Sequence, residues 1–413
     1  MIDVRAHLAR KPLLFDGGMG TYYKAKPGTE CEQGNLLDPA GVRKIHREYL
    51  AAGAEAIKTN TFGLPRMAAA RQPDWQALAR AGWKLAAEAA VETGAAVFAD
   101  LGPAPDTEAA PAGSIYTAVA RCFVEQGAKN FLFETLSSDA GVLEAVQAVK
   151  AQVPDAFVLV SFAVLPDGYT REGMYSKDLV RRMTESGIVD AVGFNCVSAP
   201  GAMRTLVQQL GSTALPLSVM PNAGYPVVTR TQVKYQGKPE YFAKELARIA
   251  AEGVRILGGC CGTTPAHIAA LRAALDSLPA VEKAAPAVQV STPEAPTVEK
   301  DDAFLRKLNA GKKVIAIELD SPKDADLTGY LDGARRLQAA GADLLTIADC
   351  PIARARMDSS LVACRVHREL GLNVLPHMTC RDRNLNATKA LLLGLYAEGV
   401  REVLAITGDP IPT

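Results

Sequence analysis

The sequence predicts an α/β protein: a (β/α)8 TIM-type barrel over residues 1–278, a linker over 279–302, and a shorter second α/β unit over 303–413. Three observations carry this reading. Eight short runs rich in Val, Ile, Leu and Phe recur before residue 262, with stretches of helical period between them. A Pro- and Ala-rich segment then interrupts the rhythm. Four more strand-like runs follow it, starting just beyond Phe304.

The eight runs are, in order, KPLLFD, AEAIKTN, AAVFADL, KNFLFET, FVLVSFAV, VDAVGFNC, LPLSVMPN and GVRILGGCC. Helical stretches such as DPAGVRKIHREYLAAG, QALARAGWKLAAEAAVETG and YFAKELARIAAEG lie between them, and several end at Gly, a common helix stop. Alternating strands and helices imply a parallel sheet. Eight units in about 260 residues fit a closed barrel. The alternative, a doubly wound open sheet, carries a GxGxxG turn after an early strand; DGGMGT lacks that spacing. The linker, PAVEKAAPAVQVSTPEAPTVEK and its last two residues, reads as extended and semi-rigid. The second unit offers VIAIEL, DLLTIAD, NVLPHMTC and EVLAIT. Its roughly 110 residues fall short of the ~250 of a full barrel. Four units alone leave sheet edges open, so the sequence is expected to be part of a longer protein.

Composition narrows the function. Lys plus Arg and Asp plus Glu are 45 each, a net charge of zero that argues against broad binding to nucleic acid or an anionic membrane. No apolar run approaches the ~20 residues of a membrane span, and the first residues do not read as a signal peptide. A cytoplasmic location with reduced thiols is expected; a homo-oligomer is left open.

Active sites of such barrels gather at the C-terminal ends of the strands. The residues closing the runs are Asp16, Asn60, Asp100, Glu134, Cys196, Asn222, and Cys260 with Cys261. Nearly every strand thus delivers a polar or metal-binding group to one rim.

Among the eight cysteines, Cys31, Cys122, Cys350 and Cys364 read as small buried hydrophobes. Cys196, Cys260 and Cys261 carry a sharper signal. Zinc takes thiolate ligands in a tetrahedral shell, and three protein ligands with one open position form the catalytic pattern. Gly258, Gly259 and Gly262 around the adjacent pair let both sulfurs face one point. The alternatives are a packed cysteine pair or a closed structural site; the latter normally shows CxxC spacing, which is absent. An open zinc position beside three thiolates suits a substrate thiol, which the metal would bind as thiolate. The chemistry implied is thiol alkylation.

Six motifs in order, Asp16-Gly-Gly-Met-Gly-Thr, Thr59-Asn-Thr-Phe, Phe133-Glu-Thr-Leu, Gly193-Phe-Asn-Cys, Met220-Pro-Asn-Ala-Gly and Gly258-Gly-Cys-Cys-Gly-Thr, resemble those of the homocysteine S-methyltransferase family over residues 10 to 275. The resemblance implies Zn2+ on Cys196, Cys260 and Cys261, with homocysteine as substrate. It implies that Glu134 meets the substrate amine and that Asp16, Gly17 and Gly18 line the pocket for its backbone. A carboxylate against an ammonium is a sound pair, and loop N–H groups can take a carboxylate. Asn222 lies beside the metal in the resemblance; read by itself it is equally a turn residue after Pro221. The methyl donor is S-adenosylmethionine, S-methylmethionine, or a methyl borne by folate or cobalamin; no DxHxxG cobalamin motif occurs.

The second unit resembles the start of 5,10-methylenetetrahydrofolate reductase through Ile317-Glu-Leu-Asp-Ser-Pro, Thr346-Ile-Ala-Asp-Cys-Pro-Ile-Ala-Arg-Ala-Arg-Met, Pro376-His-Met-Thr-Cys-Arg-Asp-Arg-Asn and Leu404-Ala-Ile-Thr-Gly-Asp-Pro. That implies Glu318 as the catalytic acid toward a folate, with Thr346, His377 and Asp409 near a flavin, FAD, if the reductase domain is complete. Single Pro322 after Ser321 departs from the family's Pro pair. Fused barrels of these two kinds form one bifunctional family. The rival reading is a zinc- or thiol-binding regulatory module with a non-catalytic reductase remnant.

Overall fold

All eight strands of the first unit's ring pair in parallel. The computed structural model describes residues 2–25, 28–108, 110–228, 233–235, 237–278, 303–381 and 383–409. The linker expected over 279–302 lies outside the described residues. The chain divides into two compact units, Met1–Val290 and Ser291–Thr413.

In the first unit the strands are β1 (Leu13–Leu14), β2 (Ala56–Lys58), β3 (Ala96–Leu101), β4 (Asn130–Leu136), β5 (Phe157–Phe162), β6 (Ala191–Asn195), β7 (Leu217–Met220), the pair β8 (Pro226–Val228) and β9 (Val233–Tyr235), and β10 (Ile256–Leu257). The ring runs β1-β10-β7-β6-β5-β4-β3-β2. A parallel bridge between Phe15 and Ala56 joins its ends, with Asp16 N donating to Ala56 O at 3.0 Å. The expected barrel is therefore the one observed. The antiparallel hairpin β8–β9 was not foreseen; it is inserted between β7 and the next helix.

Strand alternation explains what fills the barrel. Leu13, Phe15, Ala56, Ala96, Phe98, Leu132, Phe157, Leu159, Ala191, Met220 and Ile256 pack with one another in a separate inner cluster. The intervening residues, among them Ile57, Val97, Phe131, Val158, Val192 and Val219, belong to the larger core shared with the helices. Inside, Phe98 meets Phe15 at 4.7 Å and Phe157 edge-on at 6.0 Å between ring centroids. The short helix Val4–Leu8 adds Val4 and Leu8 to this inner cluster. Its Arg5 reaches the carbonyls of Asp155 and Ala156, just before β5, so the helix plugs the N-terminal end of the ring. The same parity, continued one layer up, brings Lys58, Asp100, Glu134, Ser161 and Asn195 to the interior at the C-terminal mouth.

The second unit holds β11 (Ala316–Glu318), β12 (Leu344–Ile347), β13 (Val374–Thr379) and β14 (Leu404–Ile406), parallel and in sequential order. Leu345, Ile347 and Val374 pack on Leu331, Val362 and Val366 from the helices Thr328–Ala339 and Ser359–Leu370. This matches the partial second domain expected. No helix among the described residues is long and apolar enough to cross a membrane.

Candidate active site

The three cysteines converge because two strand ends turn sharply. After β6 the chain enters the left-handed region at Cys196 (φ 59°) and Val197 (φ 35°). Cys196 N donates to Met220 O at 3.1 Å, tying this turn to β7. After β10, Cys260 N donates to Pro221 O (2.8 Å) and Cys261 N to Asn222 Oδ1 (3.1 Å). Gly262 then turns at φ 77°, where an added Cβ would lie 2.2 Å from Cβ of Tyr235. The three sulfurs lie within 4.8 Å of one another, and Cys196 and Cys261 Sγ are 3.8 Å apart. All eight cysteines are free thiols. Hydrogen bonds with Cys196 and Cys260 hold the Cys261 thiol well below the ordinary thiol range.

Beside the sulfurs lies a buried charge group that the sequence reading missed in part. Lys58, 5% exposed, places Nζ 3.6 Å from Glu134 Oε2, 3.9 Å from Asp16 Oδ1 and 3.4 Å from Gly259 O. Burial opposes the ammonium charge, but Glu134 and Asp16 outweigh it and keep Lys58 well above its ordinary range. Burial pushes both Asp16 and Glu134 up to about 7, with Lys58 pulling against it. Asp100 is also raised well above the usual carboxylate range, by burial and by repulsion from Glu134.

Asn195 is the hinge between the two groups. Its Nδ2 donates to Thr135 Oγ1 (2.7 Å) and Glu134 Oε2 (3.3 Å) and lies 3.9 Å from Cys260 Sγ. Its Oδ1 accepts from Thr135 N (2.9 Å) and Ser161 Oγ (2.8 Å). Thr135 sits at φ 62°, a strained setting for a β-branched residue. The bond from its N–H to Asn195 holds it there and aims Glu134.

These groups open on a cavity of about 340 Å³ whose wall includes Gly18, Cys31, Glu32, Lys58, Asp100 and Glu134 besides the cysteines. The structure distributes the expected residues unequally. Glu134, Gly18 and the three cysteines reach the cavity wall. Asp16 stands behind it, its Oδ2 accepting from Lys58 N at 3.0 Å. Asn222 orients Cys261 through the backbone bond given above. Gly18 N donates to Thr263 Oγ1 (2.9 Å), and a Cβ there would come within 2.6 Å of Cys260 O, so only glycine fits. The reading of four cysteines as buried hydrophobes is corrected. Only Cys122 of these is buried; Cys350 and Cys364 are half-buried, and Cys31 is half-buried on the cavity wall, its Sγ donating to Asn60 Oδ1 at 3.1 Å. Lys58 and Asn195 were missed, although each shares the inward parity of Ala56 and Ala191 on its own strand. Glu32, also on the wall, comes from a segment without a motif signal, whereas Phe62 closes the Thr59-Asn-Thr-Phe motif.

In the second unit, Glu318 and Thr346 are register partners on β11 and β12. His377 on β13 brings Nε2 to 3.9 Å from Glu318 Oε2, with the Glu318 side chain 58% exposed. Asp409 follows β14 and accepts from Ile352 N at 2.7 Å.

A closed parallel ring with a thiol cluster and a buried ammonium–carboxylate group at its C-terminal mouth defines a (β/α)8 enzyme barrel of the thiol-cluster class. Residues 13–275 match the family model described as homocysteine S-methyltransferase, and residues 303–413 that of methylenetetrahydrofolate reductase. The chain belongs to the homocysteine S-methyltransferase family and continues into a region of the reductase family. Similar proteins include methionine synthase of Mycobacterium tuberculosis, 32% identical over 68% of this chain and 26% of that protein. The homocysteine S-methyltransferase of Escherichia coli is 29% identical over 63% of this chain and 94% of its own length. The chain thus spans about a quarter of the methionine synthases it matches. A crystal structure of the Escherichia coli homocysteine methyltransferase in its metallated form superposes with a TM-score of 0.54 at 25% identity, covering 65% of this chain and 99% of that one.

Proposed function

We propose that the first unit transfers a methyl group to the thiol of homocysteine, with Cys196, Cys260 and Cys261 holding a zinc ion. The observation that supports this most is the sulfur spacing. A tetrahedral shell with ~2.3 Å Zn–S bonds has edges of about 3.8 Å, and Cys196 and Cys261 are 3.8 Å apart with Cys260 close by. Three sulfurs leave a fourth corner, and the cavity lies against them. The metallated state of the Escherichia coli relative is in keeping with this. When bound, zinc supplies a lowered thiol pKa, so that the substrate sulfur is a thiolate at neutral pH.

The protein's own groups do the rest. Glu134, on the cavity wall beside Cys260, accepts the homocysteine ammonium. Lys58 and Asn195 hold that carboxylate in place, and Asp16 secures Lys58 from behind. Gly18 lies on the cavity wall where the substrate backbone would run, Gly17 packs behind it on Tyr49 and Thr263, and Asn222 orients Cys261 through its backbone N–H. The substrate thiol releases its proton to solvent; its sulfur then forms the new S–CH3 bond as the bond from the methyl carbon to the donor breaks, that bond's electron pair staying with the donor. The free thiols accord with a reducing, cytoplasmic setting.

Methionine formation from homocysteine and a panel of methyl donors, measured on the zinc-loaded chain, tests the reading. Cys260→Ser is expected to lose both metal and product while keeping the barrel's circular dichroism. Zinc bound with no product from any donor would instead favour a regulatory module. For the second unit we infer a methylenetetrahydrofolate reductase role, with Glu318 as the acid and Thr346, His377 and Asp409 toward FAD. A flavin absorption band in the purified protein, reduced by Asp409→Ala, is the expected result.

A further inference from the structure

The hairpin β8–β9, inserted after β7, ends on Tyr235, half-buried beside the sulfur cluster. Its side chain packs on the turn that follows the cysteine pair: a Cβ added at Gly262 would lie 2.2 Å from Tyr235 Cβ and 2.4 Å from its Cγ. Its hydroxyl shares a hydrogen bond with the Cys261 sulfur. A phenol keeps its proton at neutral pH, so the O–H donates to the sulfur. The chain just beyond the tyrosine is pinned as well. A Cβ at Gly237 would fall 1.8 Å from Ala223 O, and Gly237 O lies 3.2 Å from Nε2 of His267, a buried residue of the helix Pro265–Asp276. Ala223 N in turn donates to Cys261 O at 2.9 Å, while Cys261 N donates to Asn222 Oδ1. Cys261 is thus held at its N, O and Sγ atoms. It lines the cavity, whereas Tyr235 is not part of the described cavity wall.

We infer that Tyr235 is a positioning residue of the thiol cluster: its hydroxyl donates to the Cys261 sulfur from outside the cavity and holds it as a thiolate ligand for a soft divalent metal, leaving the cavity side of the cluster to the substrate thiol. This rests on the metal-site reading above. Three thiolates around one dication carry a net negative charge, which a buried site penalises. A hydrogen bond to a thiolate spreads part of that charge without occupying a coordination position. Cys260 has Asn195 Nδ2 at 3.9 Å for this purpose; Cys261 has the Tyr235 hydroxyl. A phenylalanine would pack on Gly262 as well as the tyrosine does, so the packing by itself gives the hydroxyl no task. The residue acts on the substrate only through Cys261, because it does not reach the cavity.

The test loads the protein with Co2+ in place of zinc and follows the sulfur-to-metal charge-transfer band; zinc affinity is read by competition with a chromophoric chelator. Tyr235→Phe keeps the ring and removes the hydroxyl, and Tyr235→Leu removes both. The lone pair of a hydrogen-bonded thiolate lies lower in energy. Both variants are therefore expected to move the band to longer wavelength and to bind zinc about tenfold more weakly than wild type. Tryptophan fluorescence, from Trp75 and Trp83 on one first-unit helix, checks that the unit stays folded. A packing role alone predicts Tyr235→Phe equal to wild type and only Tyr235→Leu impaired. That result overturns the assignment, as does an unmoved band in both variants. A wild type that takes up neither metal overturns the assignment and the metal site together. Shifted bands in a protein that makes no methionine keep the assignment and remove methyl transfer.

Discussion

Lys58→Met tests whether the mouth is held together by one buried cation. The substitution keeps an unbranched side chain of similar length and removes the charge. At 3.6 Å from Glu134 and 3.9 Å from Asp16, each attraction amounts to about 4–5 kcal/mol before desolvation, at an effective dielectric of ~20. The net loss is smaller, because the stranded carboxylates take up protons; breaking a buried pair typically costs about 3–5 kcal/mol. For a domain of this size that is a fall in melting temperature of roughly 6–20 °C. The assay is selective. Both tryptophans, Trp75 and Trp83, lie on or at the start of one first-unit helix, so their fluorescence follows that unit's unfolding alone. The double variant Lys58→Met with Glu134→Gln removes one stranded carboxylate and is expected to recover about 1–2 kcal/mol over Lys58→Met. A Lys58→Met melting point within 2 °C of wild type, or strictly additive losses in the double variant, would refute the counter-charge role.

Two more outcomes follow from buried groups. His46 is wholly buried with neither ring nitrogen hydrogen-bonded, and burial lowers it from 6.5 to about 4. Between those values the unfolded chain binds a proton that the folded chain does not, so stability is full above 6.5 and is lost as pH falls toward 4, by about 3 kcal/mol. Tryptophan-monitored denaturation at pH 7 and 4.5 should show this loss in wild type and a smaller one in His46→Leu; equal losses would speak against it. Asn195→Ala leaves Thr135 N–H and Ser161 Oγ–H without their acceptor, at about 1–3 kcal/mol each. It should lower the melting point and raise homocysteine KM by misaiming Glu134, and an unchanged KM would remove Asn195 from the site.

How much of this was legible in the sequence depends on what each residue needs from others. The strands were legible because both of their faces are buried, so that β3 and β5 read as apolar runs interrupted only by Asp100 and Ser161 near their ends. The sulfur cluster was legible because thiol chemistry lies in the residue type, and the strand-end rule brings distant residues to one rim. Lys58 was not, because a lysine in a strand ordinarily faces water; its burial depends on Asp16, Glu134 and Gly259, which only the closed ring assembles. Asp16 and Asp100 make the sharpest contrast. In sequence both are aspartates near the end of an apolar run, with equal claim to a substrate. In the barrel, the seam between β1 and β2 turns Asp16 onto the backbone N–H and ammonium of Lys58, whereas Asp100 meets the cavity with an oxygen that has no partner. The strand-end rule tells which groups reach the mouth; only the pairing among them tells which polar atom is left without a partner.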